Sequence, residues 1–128
     1  MDSSNDYIEM CREAKELQEG RSDNPYGFLN GDFFVRGVGY DLQLVYWDRS
    51  WIGTDSVNLV WLPRQDQLVN LIDKEKPLSQ VFEDDYEIIY GRCLEESSLE
   101  KTWLIILMLL KYQKMWNGKT WHTVYVKN

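Results

Sequence analysis

Histidine is nearly missing from this chain: of 128 residues, only His122 carries an imidazole. A Ser/His/Asp or Cys/His nucleophilic site would have to be built around that one ring. His122 follows Trp121 in a stretch that reads as a hairpin strand, so an exposed strand residue is its simpler role. Cysteine is almost as scarce. Cys11 and Cys93 stand 82 positions apart with no CxxC pair; no zinc set assembles at such spacing, and two free thiols are expected rather than a bridge between them. Cys11 sits on an apolar helical stripe with nothing nearby to lower its pKa, and reads as a small core residue. No glycines fall in GxxxxGK or GxGxxG order, which excludes a phosphate loop; Gly37-Val38-Gly39 reads as a turn. Positive charge is short as well. Fourteen Lys and Arg face 21 Asp and Glu, a net charge of −7 with a pI near 4.7. That balance argues against generic binding to nucleic acid or anionic membranes, which takes a basic face. The longest apolar run is eight residues, against roughly 20 for a membrane span. Met1-Asp2-Ser3-Ser4-Asn5-Asp6 is acidic and polar where a secretory leader is basic and then apolar. A cytoplasmic protein with free thiols is expected.

What the chain does have is apolar bulk, with 44% hydrophobic and 14% aromatic residues, including six Trp and eight Tyr. That is enough for one well-filled core, and a single domain over 1–128 is expected. The eight-residue run, Trp103 to Leu110, lies in the stretch 97–112. Ser97 and Glu100 form a capping-box pattern ahead of it, and Lys111 and Lys114 suit the negative end of a helix. With no polar residue every third or fourth position, such a helix must be covered on all sides. The segment 97–112 is therefore expected to be a buried central helix.

Ahead of it, Tyr7, Met10, Cys11, Ala14 and Leu17 recur at helical spacing, predicting one helix from Asn5 or Asp6 to about Glu19, stopped by Gly20. A loop over 21–31 follows. Strands are expected at 32–36, 40–47 and 57–62, with a turn region at 48–55. Short connections suggest an antiparallel meander with one face on the helices. Pro63 and Pro77 each suit the first position of a helix, the first ending near Lys74, the second closed by Gly91. Glu83, Asp84, Asp85 and Glu87 crowd the second of these. Neighbouring helical positions point in different directions, so a solvated face is the simpler reading than a metal site. Asn117-Gly118 marks a hairpin with a type I′ turn. In that register Trp116 faces Lys119, as a cation–π pair, with Trp121 diagonally across. The predicted fold is thus α+β: a small antiparallel sheet, the meander plus a C-terminal hairpin, packed against about four helices.

Two blocks resemble small uncharacterised proteins of phages and prophages, chiefly of Gram-positive bacteria. One is Trp61-Leu62-Pro63-Arg64-Gln65-Asp66-Gln67-Leu68. The other runs from Ser98-Leu99-Glu100-Lys101-Thr102-Trp103-Leu104 through Met108, Lys111-Tyr112 and Trp116-Asn117-Gly118-Lys119-Thr120-Trp121. The first helix, with Tyr7-Ile8, Met10-Cys11, Ala14 and Gln18, then Gly31-Asp32, is similar too. The likeness is weakest over 21–30 and 38–56. It implies a stand-alone protein of a bacterial cytoplasm and carries no activity, cofactor or site with it.

No catalytic, cofactor or metal site is read from these residues. The leading expectation is a non-catalytic accessory protein that binds a bacterial or phage protein, one version being an acidic inhibitor. That version would use 83–87 and the first helix to imitate nucleic acid toward a basic host factor. The sequence alone leaves two alternatives. Lys111, Lys114, Lys119 and Lys127 interleave with Tyr112, Trp116, Trp121 and Tyr125, a mixture that single-stranded nucleic acid favours. A small hydrolase without a recognisable motif is the third. The candidate partner surface is Arg64, Gln65, Asp66 and Gln67, where Arg64 and Gln67 are expected to be free, together with Trp116, Lys119 and Trp121. A homodimer would cover any face of the central helix that the chain leaves bare.

Overall fold

The computed structural model describes residues 2–22, 32–36, 38–40, 43–44, 59–84 and 98–124. Expectations for the 23–31 loop, most of 40–58, the end of the helix after Pro77, Ser97, Cys93, Tyr125 and Lys127 concern residues outside those described. The described elements make an α+β protein with five helices and two small antiparallel sheets. They group into two compact units, 3–63 and 1–2 with 64–128.

In the unit 3–63, the predicted single N-terminal helix is two: α1, Asn5–Glu13, and α2, Lys15–Ser22. Ser4, and not Asn5 or Asp6, is the N-cap, its side chain accepting from the Tyr7 N–H. The break falls at Ala14, whose φ of −81° and ψ of 69° leave the helical region. There the chain winds tighter, the Ala14 N–H reaching the Cys11 carbonyl. Gly20 does not end the helix, which runs on to Ser22. A glycine inside a helix costs only about 1 kcal/mol against alanine, so its presence is not a stop by itself. The predicted apolar stripe is correct: Tyr7, Met10, Cys11, Ala14 and Leu17 are all buried.

Strands β1 (Phe33–Arg36), β2 (Gln43–Leu44) and β3 (Leu59–Leu62) form one sheet in the order β2-β1-β3, with both pairings antiparallel. A meander would put β2 in the middle. Instead β1 is central, because Phe34 and Val35 point to opposite faces and are both fully buried, as a strand covered on two sides requires. Gln43, the polar partner of Phe34, is left on an outer strand. β3 departs from the one-sided pattern for the same reason, all four of its residues being buried. Helix α1 lies against β3, and the Tyr7 hydroxyl donates to the Pro63 carbonyl at its end.

The unit holding 64–128 is built on α3 (Gln65–Glu75), α4 (Leu78–Asp84) and α5 (Leu99–Tyr112), followed by strands β4 (Lys114–Trp116) and β5 (Trp121–Thr123). Pro63 stands before the cap and not in the first helical position, since Arg64 is the N-cap of α3. Pro77 directly precedes α4, its carbonyl accepting from Gln80 and Val81.

The predicted central helix is α5. Leu104, Ile105, Ile106, Leu107 and Met108 are each no more than 2% exposed. At 3.6 residues per turn, five successive positions sweep the whole circumference, so this stretch is covered on every side. The wrapping loosens at the ends: Trp103, Leu109 and Leu110 are half-buried and Leu99 is 53% exposed. Its cap lies one residue later than the pattern Ser97…Glu100 suggests. Ser98 accepts from the Lys101 N–H, and its carbonyl takes the Thr102 hydroxyl. Lys101 in the third helical position cannot return the bond, and Glu100 turns instead to the Asp2 N–H.

α3 packs along α5, and Lys111 lies 3.7 Å from Glu75 at their ends. An exposed pair of this kind contributes less than about 1 kcal/mol. α5 closes on Gln113, left-handed at φ 54° and ψ 47°. The Gln113 carbonyl accepts from the Val124 N–H, tying the end of the helix to the end of the hairpin.

Candidate interaction surface

The sequence points first to the start of α3. There the Gln67 side chain accepts from the Arg64 N–H at 2.9 Å, covering a donor that the helix itself leaves orphaned. The Arg64 guanidinium grips Asp66 with both oxygens, Nε to Oδ1 at 3.0 Å and Nη2 to Oδ2 at 3.3 Å. Arg64 and Gln67 are therefore not the free groups expected. Two of the four polar residues form a local ion pair, and a third serves as a cap. The Arg64 guanidinium holds the Asp66 carboxyl below its ordinary range. This pairing is in place above the usual carboxylate pKa and is lost as pH falls through the depressed value. Gln65 and Asp66 remain exposed.

The hairpin differs in register from the prediction. Trp116 stands directly opposite Trp121, with ring centroids 5.2 Å apart and planes at 53°, a tilted geometry that aromatic pairs favour. Gly118 alone in the turn takes a positive φ, +99°, so the turn is not type I′, which needs two. The Asn117 N–H bonds to the Thr120 carbonyl. Its side-chain oxygen accepts from the N–H of Lys119 and Thr120, both at 2.9 Å. Asparagine acts as a second backbone there, which moves Gly118 and Lys119 to the turn centre. Lys119 is exposed at the tip instead of lying over an indole. Trp121 is buried and Trp116 half-buried, so their contact is largely spent within the hairpin. His122 faces outward on β5.

The C-terminal basic and aromatic mixture is partly occupied as well. Lys111 stands over the Tyr112 ring at 5.6 Å, in addition to its contact with Glu75. Among the described residues, no three His, Cys, Asp or Glu side chains come together as a metal site, and no helix is long and apolar enough to cross a membrane.

A third cluster, missed from the sequence, lies on the 3–63 unit. Glu9 and Arg12, one turn apart on α1, form an ion pair, as i,i+3 spacing allows. Arg12 also donates through Nη2 to the Gly39 carbonyl at 2.6 Å, and its guanidinium lies 5.2 Å from the centre of the Tyr40 ring. The Tyr40 hydroxyl donates to Glu9 at 2.7 Å. These contacts pin the segment after β1, where Val38 is 85% and Tyr40 45% exposed. Tyr40, expected to open the strand at 40–47, lies outside any strand. The available signal was Val38 itself, a β-branched apolar residue between two glycines in a turn. The carboxylate acceptor favours the protonated phenol and raises the Tyr40 pKa above its ordinary value. Ultraviolet titration should show a tyrosine that ionises late, and Glu9→Gln should move that ionisation to lower pH. An unchanged titration would mean that the Tyr40–Glu9 bond does not persist in solution.

Compared with known proteins, the chain matches no family model, and no curated protein or solved structure is significantly similar to it.

Proposed function

We propose that the chain is a non-catalytic accessory protein of phage or prophage type, working in the bacterial cytoplasm by binding a protein partner. The observation that carries this is the pinned surface around Val38 and Tyr40. Tyrosine and arginine are among the residues that dominate binding energy in protein interfaces, and Val38 sets exposed apolar area next to them. Tyr40 is already held by Glu9 and Arg12, so less side-chain entropy is lost when a partner arrives. The net charge of −7 favours a basic partner through long-range steering, and an acidic inhibitor of a host factor is the specific form this takes.

The test is quantitative recovery of bacterial proteins on the immobilised wild type, Val38→Asp and, as a control on the other unit, Gln80→Ala. A partner should be held by the wild type and by Gln80→Ala, and reduced about tenfold or more by Val38→Asp, a loss of at least about 1.4 kcal/mol of affinity. Recovery that ignores Val38→Asp would move the partner surface elsewhere. A single-stranded oligonucleotide bound at low salt and released steeply with added salt would replace this reading with nucleic-acid binding.

A further inference from the structure

We propose that the Gln18 side chain closes the outer edge of β3 against pairing with a second copy of the chain. Among the described residues, β3 is an outer strand of the β2-β1-β3 sheet. Trp61, opposite Phe34 in the ladder, directs its backbone away from β1. Its N–H donates to Gln18 Oε1 at 2.7 Å, and its carbonyl accepts from Gln18 Nε2 at 2.8 Å. A carboxamide presents an acceptor and a donor side by side, and here it meets both backbone groups of one residue. In an antiparallel ladder a neighbouring strand supplies that same pair of bonds. The same Nε2 donates to the Cys11 carbonyl at 3.0 Å, so the side chain is moored to the break between α1 and α2. The break has a use: it lets α2 carry Gln18 to the strand.

The strand needs such a guard. Leu59-Val60-Trp61-Leu62 is wholly apolar, uncharged and free of proline, the composition that makes an open edge prone to pairing. Its occupant, once the guard is removed, is another β3. A short apolar strand pairs antiparallel with itself across a two-fold axis, each copy offering the same groups to the other. This inference stands independently of the surface at Val38 and Tyr40.

Two measurements test it. In the wild type, amide exchange at Trp61 should be slowed to within about tenfold of the ladder amide of Val60. Exchange at the rate of an unstructured amide would overturn the proposal, whatever any variant does. Sedimentation of Gln18→Ala across a concentration series should show self-association at least about tenfold tighter than the wild type, with a cooperative melt retained. A cooperatively melting Gln18→Ala with wild-type sedimentation refutes the guard. Association confined to protein that has lost its melt also refutes it, since that is aggregation of unfolded chain.

Discussion

Leu107→Asp is expected to abolish the cooperative thermal melt. Leu107 is 1% exposed in the middle of α5, and the buried residues on either side of it leave no direction in which an aspartate could reach water. A carboxylate there must stay charged without a partner or take up a proton and remain poorly bonded. Either route costs on the order of 5 kcal/mol. Domains of this size hold about 5–15 kcal/mol in total, so the substitution consumes most or all of it. Circular dichroism is the measurement. A cooperative transition near the wild-type temperature would mean that α5 has an open side at its middle, and the covered-helix account would be lost.

Trp61→Ala should be the largest loss in the other unit, about 3–5 kcal/mol in a urea unfolding series. The indole is 1% exposed, in a strand buried on both faces, and Phe34 stands opposite it across the ladder. Removing it leaves a cavity that the flanking strands cannot fill without giving up their register. The backbone bonds to Gln18 use Trp61 N–H and C=O, which alanine keeps. The side-chain loss is therefore separable from the edge contact: Trp61→Ala should lower stability without opening the strand to self-pairing. Trp61→Phe restores most of the volume and should recover a good part of the loss. A midpoint for Trp61→Ala within experimental error of the wild type would show that this strand is not part of the core.

The elements that could be read in advance were those whose signal is local. The apolar run from Trp103 to Leu110 required burial wherever it was placed, because no other environment accepts eight such residues in a row. The stripe Tyr7, Met10, Cys11, Ala14 and Leu17 named its own buried face. The hairpin was visible in Asn117-Gly118, although its turn type was not. Local propensity favours both residues at positive φ, and only the side-chain bonds of Asn117 to Lys119 and Thr120 move the turn by one step. That single step exchanges a cation–π pair for the Trp116–Trp121 contact. At the start of α3, composition suggests that Arg64 and Gln67 are free, whereas the structure shows an ion pair and a cap. Spacing says which residues are near; it does not say which of them already satisfy one another.

The sequence by itself determined the class of the protein and its buried helix, because hydrophobic periodicity and unbroken apolar length depend only on the residues that carry them. Tertiary structure decided the rest. It decided that β1 is central, that α1 and α2 are separate helices, that Gln18 meets the backbone of Trp61, and that Tyr40 is held at the surface by Glu9 and Arg12. The contacts of Gln18 and of the segment at Tyr40 join groups from 27 to 43 positions apart, and the place of β1 depends on which strand lies beside which. Such pairings have no local signature, since many chain segments could supply the same donors and acceptors and only the folded arrangement selects among them.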